Sequence, residues 1–211
     1  MRLSKAILFC TVLVVGVSAS AQDRFEVFGE YSYLHFSPTI TGVSSRSFNG
    51  GGGGASLNFL KIFAIKGDLM GYGSTTFTRT YPTPVVIPGK GVIPAGTYTS
   101  QGNMFTYLFG PVLRIPTPVI KPFGEVLFGG SYTDAYVNLS KQIDANGGTI
   151  ASPTQHPFTM AAGGGVDVSV SHRLAIRVGE FDYVLTRYTN PLTSTNNQNN
   201  FRYCGGVILR F

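Results

Sequence analysis

Most of the chain alternates between apolar and polar positions with a period of two. In "FEVFGEYSYLHF" (25–36), Val27, Gly29, Tyr31 and Tyr33 fall on one face and Glu26, Phe28, Glu30 and Ser32 on the other. "GGASLNF" (53–59), "AIKGDLMGY" (64–72), "MFTYLFGPVLRI" (104–115), "FGEVLFGGSY" (123–132), "FTMAAGGGVDVSV" (158–170) and "LAIRVGEFDYVLTR" (174–187) repeat the pattern. The last stretch, "NNFRYCGGVILRF" (199–211), sets Phe201, Tyr203, Val207, Leu209 and Phe211 against Arg202, Cys204, Ile208 and Arg210. Period two predicts strands, here eight of them. An even number lets an up-and-down barrel return both ends of the chain to one side.

Two positions break the pattern. Arg177 has one parity and Glu180 and Asp182 the other, so a bulge near Val178–Gly179 is needed to bring all three to one face. Pro111 lies within a strand of a barrel that has no free edge, and requires a bulge or a lost ladder hydrogen bond.

The connections alternate strictly between long and short: 37–47, 60–63, 73–103, 116–121, 133–157, 171–173 and 188–200. The long ones are rich in Pro, Gly, Ser, Thr and Asn, as in "YPTPVVIPGKGVIPAG" (81–96). Bacterial outer-membrane barrels have this asymmetry, with short periplasmic turns and longer extracellular loops. Bulk then selects the outward face. An eight-stranded barrel encloses only enough room for side chains to fill it, and a row such as Phe105, Tyr107 and Phe109, repeated around the ring, would overfill it. The other row carries Glu26, Glu30, Asp68, Glu125, Asp167, Glu180 and Asp182 with Lys66, Arg114, Arg177, Arg202 and Arg210. Charges of both signs suit a mutually paired interior, because an Arg facing the bilayer midplane costs about 2–4 kcal/mol. The predicted fold is all-β: an eight-stranded antiparallel up-and-down transmembrane β-barrel.

Composition agrees. Only 12% of the 211 residues are charged, and Gly numbers 27, where an ordinary soluble domain carries about 25% charge. The net charge of +6 comes without a basic cluster, which argues against nucleic acid. Residues 1–21 read as a cleavable signal peptide: Arg2 and Lys5, the apolar "AILFCTVLVVGV" (6–17), then "ASA" (19–21). Its removal takes Arg2 and Lys5 from the 16 basic residues and leaves Cys204 as the one cysteine, so no intrachain disulfide is expected. The barrel domain is expected over 22–211.

The chain resembles the small eight-stranded outer-membrane β-barrel family, the OmpA/OmpX-like barrel domain. The resemblance rests on "ASAQ" (19–22), "FEVFGEYSYL", the turn-joined pair at 53–72, "LFGP" (108–111), "PFGEVLFGG" (122–130), "GGGVDVSV" (163–170) and "RYCGGVILRF" (202–211). It implies integral residence in the outer membrane, contact with membrane lipid and lipopolysaccharide, and a C-terminal strand ending in Phe211 that the barrel assembly machinery recognises. With no periplasmic domain after Phe211, cell-wall anchoring is not implied. Activity follows poorly from such a fold.

The candidate chemistry is thin. "NGGGGGA" (49–55) matches a GxGxxG pattern but lacks the Lys-Ser/Thr of a phosphate loop and leads into a strand; its glycines read as bends that leave room for inward Glu and Arg side chains. His35 and Ser37 share parity at the outer end of the first strand, as a lipid A acyl-hydrolase would need. Glu30 has the opposite parity and cannot complete that set, leaving Asp134 or another loop acid. His156 and His172 are isolated, so no metal site is expected. "NLS" (138–140) matches a glycosylation sequon, and the Tyr and Phe residues near strand ends read as interfacial girdles. The expected function is non-enzymatic, structural or surface-interacting, through long extracellular loops and an unidentified extracellular partner. The alternatives are a narrow pore and the His35/Ser37 hydrolase. No catalytic, cofactor or metal residue is assigned.

Overall fold

The computed structural model describes residues 24–37, 45–89, 91–133, 135–150, 156–187 and 197–211. The signal-peptide region 1–21 and Asp134 lie outside the described residues. Eight long strands form the wall: β1 (Phe25–Phe36), β2 (Arg46–Asn58), β3 (Phe63–Tyr81), β6 (Gly96–Arg114), β7 (Ile120–Thr133), β9 (Phe158–Ser169), β10 (Leu174–Arg187) and β11 (Asn197–Arg210). Three short strands, β4 (Val85–Ile87), β5 (Gly91–Ile93) and β8 (Thr149–Ile150), and the helix α1 (Ala135–Ala145) lie in the long connections.

The wall closes in the order β1-β11-β10-β9-β7-β6-β3-β2. Closure depends on β1 and β11, which pair antiparallel without a register break from Glu26↔Arg210 to Phe36↔Asn200. At the rim, Phe211 N–H donates to Phe25 O at 2.8 Å and the two rings lie 6.3 Å apart. No backbone edge remains in the ring, the condition for strands to cross hydrocarbon.

Both irregularities appear where the residue pattern requires them. The register of β10 shifts by one residue between Arg177 and Glu180 against β11. This bulge turns Arg177, Glu180 and Asp182 all inward, each at most 2% exposed. At Pro111 there is no bulge. The β6–β7 register is the same at Phe109↔Phe128 and Val112↔Glu125, with the ladder interrupted between them, while Pro111 stays paired with Ile65 of β3. The lost hydrogen bond, not an extra residue, accommodates the proline.

The long connections differ most from expectation. Residues 73–103, expected as loop, are largely strand: β3 runs on to Tyr81 and β6 starts at Gly96, paired through Tyr81↔Gly96. "STTFTRTY" (74–81) is rich in Thr and aromatics, which favour strands, but its two faces are nearly equally polar and so lose the period-two contrast. Residues 133–157, also expected as loop, hold α1. It ends on Gly147, whose φ of +79° is the left-handed conformation of a helix C-cap; Gly148 N–H donates to Ile143 O at 3.0 Å. Asn138 of the sequon is on this helix, donating to Gln101 O at 2.8 Å.

The "NGGGGGA" glycines are part of β2. They do make room, but for different neighbours from those expected. A Cβ at Gly54 would stand 2.6 Å from the Phe28 ring, and one at Gly52 2.9 Å from Met70 Sδ. The glycines that accommodate acids are elsewhere: a Cβ at Gly163 would collide with Asp182 Oδ1, and one at Gly206 would meet Glu30 Cγ at 2.8 Å.

Candidate functional site

The outer wall is an unbroken apolar surface. Tyr31, Leu69, Phe109, Phe128, Ile176, Phe181, Phe201 and Val207, drawn from around the ring, are each at least 40% exposed. Every charged side chain of the predicted inward row is inside. Glu26, Glu30, Lys66, Asp68, Glu125, Asp167, Arg177, Glu180, Asp182, Arg202 and Arg210 are buried, and the Arg114 side chain is 10% exposed. A surface that exposes Phe and Leu while hiding Arg and Glu is inside-out for water and correct for lipid.

The inward charges form two groups. Near the short turns, Arg210 Nε donates to Glu26 Oε1 at 3.0 Å, and Arg114 pairs with the same carboxylate while donating to Asn58 Oδ1 at 3.0 Å. Deeper in, three cations face six carboxylates. Lys66 Nζ donates to Glu180 Oε2 at 2.7 Å and Glu125 Oε1 at 3.1 Å. Arg177 reaches Glu30, Asp167 and Glu180 at 2.6, 2.8 and 2.6 Å. Arg202 reaches Asp68, Asp182 and Glu180 at 2.7, 2.7 and 3.2 Å. Glu180 thus accepts from all three cations, and the bulge at Val178–Gly179 puts it there. Arg177 also stacks on the Phe123 ring at 4.5 Å.

Beyond this network, toward the long connections, the lumen mixes apolar side chains with buried uncharged polar ones, among them Ser131, Thr159, Thr186, Gln198 and Asn200. Leu34, Phe36, Phe48, Met70, Tyr72 and Leu127 belong to one buried cluster that also includes Cys204. Cys204 Sγ contacts Ser32 Oγ at 3.3 Å, and Ser32 Oγ lies 3.0 Å from Tyr72 Oη. Ion pairs, and then apolar and uncharged polar side chains, fill the bore in series.

Above the membrane wall, the extended β3–β6 hairpin carries a small crown with its own core. Ile93, Tyr98 and Ile143 are buried together, with Tyr81, Ile87 and Leu139 packed against them. β4, β5 and β8 form a three-stranded sheet, and α1 is tied to β6 by Gln142, whose Nε2 donates to Thr99 O while its Oε1 accepts from Thr99 N–H at 3.1 Å. The crown exposes Val85, Val86 and Val92. Sequence reasoning missed it. The signals were Thr/Tyr alternation on either side of 82–95, and the glycine pair Gly147–Gly148 after the helix.

Among the described residues no hydrogen bond joins His35 to Ser37 directly, and Asp134, the acid left open for such a set, lies outside them. His35 Nδ1 lies 3.4 Å from Ser47 Oγ, and the Ser37 backbone N–H donates to Asn200 Oδ1 at 3.1 Å. Glu30 is committed to Arg177 in the lumen. His156 stacks near Tyr132, ring centroids 5.3 Å apart, and His172 is in an exposed turn. Two buried groups, Glu30–Glu180–Cys204 and Glu125–Glu180–Asp182, have ligand-type atoms within 4.8 Å of one another, but Lys66, Arg177 and Arg202 already occupy most of those oxygens.

No protein-family model and no curated protein matches the chain. Solved structures do. The crystal structure of Neisserial surface protein A matches with a TM-score of 0.59 at 12% identity, covering 91% of this chain and 99% of that one. The outer membrane protein OprG from Pseudomonas aeruginosa matches at 0.51 and 14% identity, covering 89% and 95%. Ail of Yersinia pestis gives 0.44 and 12%, covering 88% and 98%. At such identities the likeness is one of fold. By fold and by its exposed apolar wall, the chain is an integral outer-membrane β-barrel.

Proposed function

We propose that the protein is a non-conducting outer-membrane barrel that holds an ordered crown at the cell surface for interaction with an extracellular partner. The observation that carries this reading is the crown itself: two wall strands extend beyond the lipid zone and support a buried Ile93–Tyr98–Ile143 core. Ordering these residues costs backbone entropy of about 1–2 kcal/mol each, which a barrel serving only as a membrane plug has no need to meet. The lumen, filled by ion pairs and buried side chains, supports the same reading against a narrow pore. Catalysis has no support in the geometry of His35 and Ser37. Lipopolysaccharide contact and delivery by the assembly machinery through the strand ending in Phe211 belong to this proposal.

The test is direct. Replacing residues 82–95 by a two-residue turn joins Tyr81 to Gly96 and removes β4 and β5 while leaving the wall intact. Capture of surface ligands by intact cells should fall to background, and the heat-modifiable gel mobility of the barrel should persist. Unchanged capture would remove the crown from the function. In planar bilayers the full protein should give no stable conductance steps; regular steps in most insertions would favour the pore.

A further inference from the structure

The β3–β6 hairpin that carries the crown has two edges, and among the described residues only one is covered. On the β6 edge, α1 takes the place of a strand. Thr99 N–H donates to Gln142 Oε1 at 3.1 Å, Gln142 Nε2 donates to Thr99 O, and Asn138 Nδ2 donates to Gln101 O at 2.8 Å. Two side-chain amides thus satisfy backbone groups that an edge strand presents to its missing neighbour.

These bonds also fix the direction of the backbone on β3. Thr99 and Gln101 turn their groups away from β3, so Thr78↔Thr99 and Thr76↔Gln101 are non-hydrogen-bonded pairs. Thr78 and Thr76 therefore turn their own N–H and C=O away from β6, and period two gives Thr80 the same direction. The hydroxyl contacts Thr78–Thr99 at 3.2 Å and Thr80–Thr97 at 2.9 Å fit such close pairs.

That side of β3 is open. Lower down its neighbour is β2, but their pairing stops at Gly50↔Tyr72. Arg46, the first residue of β2, is four residues before Gly50, and the same register would put it opposite Thr76, four after Tyr72. Thr78 and Thr80 lie beyond its end. Thr76, Thr78 and Thr80 are exposed, and "TTFTRT" (75–80) contains no proline, a residue that commonly blunts edges. The edge is also held straight. β3 stays paired with β6 through Tyr81↔Gly96, and Tyr81 packs against the Ile93–Tyr98–Ile143 core.

We propose that residues 76–80 of β3 dock an extended segment of a partner polypeptide by strand addition. The inference rests on the surface-interaction reading given above. The ligand follows from the groups offered. Thr76, Thr78 and Thr80 each present an N–H and a C=O, repeating about every 7 Å, and the complement of that ladder is another backbone in the β conformation. Affinity then comes from main-chain hydrogen bonds, and the partner's segment must be free of proline on the paired edge.

The experiment uses the full barrel refolded into lipid nanodiscs. The probe is a fluorescent peptide of residues 96–103, GTYTSQGN, whose side chains already suit β3 as a neighbour. Without peptide, the amides of Thr78 and Thr80 should exchange with solvent faster than those of Phe77 and Arg79, and saturating peptide should slow them. Thr78→Pro removes an N–H that β6 does not use, at a position where an edge strand tolerates proline. It should weaken peptide binding at least about tenfold, while Thr78→Val, which keeps the backbone, should stay within about threefold. The same peptide N-methylated from Thr97 to Gln101 should not bind, and this arm carries the test if Thr78→Pro lacks folded mobility. No peptide binding, binding of the N-methylated peptide, or a Thr78 amide as protected as that of Phe77 would overturn the edge as a site. Barrel dimers that Thr78→Pro dissolves would make the occupant a second copy and overturn the partner segment. On intact cells, ligand capture lost on replacement of 82–95 but kept in Thr78→Pro would overturn the edge and leave the crown reading standing; capture kept in both would overturn both.

Discussion

Arg202 offers the sharpest test of what holds the lumen together. It is 1% exposed and donates to Asp68, Asp182 and Glu180. Glu180 has Lys66 and Arg177 as further partners. Asp68 and Asp182 have no other charged partner among the described residues, and each already has one oxygen without any hydrogen bond. Arg202→Met therefore leaves two carboxylates buried with no cation. Removing one member of a buried pair costs about 3–5 kcal/mol, chiefly through the charge left behind. If that account is right, the loss is reversible without restoring the arginine. The triple variant Arg202→Met, Asp68→Asn, Asp182→Asn replaces the arginine and the two carboxylates it would strand with neutral groups of similar size, leaves Glu180 its Lys66 and Arg177 partners, and should return to within about 2 kcal/mol of the original, since such replacements are often close to neutral. The chain has no Trp, so urea unfolding in vesicles is best followed by heat-modifiable gel mobility and far-ultraviolet circular dichroism. A single variant within about 1 kcal/mol of the unaltered protein would show that the network contributes little. A triple variant no more stable than the single one would show that the arginine acts through packing and not through its charge.

Three further outcomes are expected. Cys204, fully buried against Ser32, should react with a bulky maleimide only after unfolding; equal rates before and after would mean that β11 is slipped by one residue and its faces inverted. Phe211→Ser should sharply reduce folded protein in the outer membranes of cells yet still refold from urea into detergent, because the Phe25–Phe211 ring contact at a wet rim contributes only about 1–2 kcal/mol; equal failure in both settings would make the residue structural and not a signal. Deleting Gly179 should straighten β10 into a regular ladder, keep Arg177, Glu180 and Asp182 on the lumen face, and lose little beyond the 3.1 Å bond from Tyr203 Oη to Val178 O. A variant that no longer folds would show that the bulge does more than correct parity.

The sequence by itself determined the wall. Alternation of side chains is a local property of an extended backbone, so parity along each strand separated Glu30 from Tyr31 and Arg202 from Phe201 before any contact was known. Parity also located the bulge, because Arg177 and Glu180 are an odd number of residues apart and both carry charges that lipid excludes. The closed ring followed from the even strand number and from the demand of hydrocarbon for paired backbone groups. Only the tertiary structure decided which charges meet. Lys66 and Glu180 are 114 residues apart, and Arg177 and Glu30 are 147 apart; their pairing depends on the strand order around the ring and on the stagger between neighbours, which alternation does not encode. The crown was hidden for a different reason. Its strands bury small or polar residues such as Ser100 beside Tyr98 on their inner face, and its helix is 11 residues long, so neither has a continuous apolar stripe, and its core assembles from Ile93, Tyr98 and Ile143, residues brought together by three separate segments. A pattern confined to one segment cannot report a core that no single segment contains.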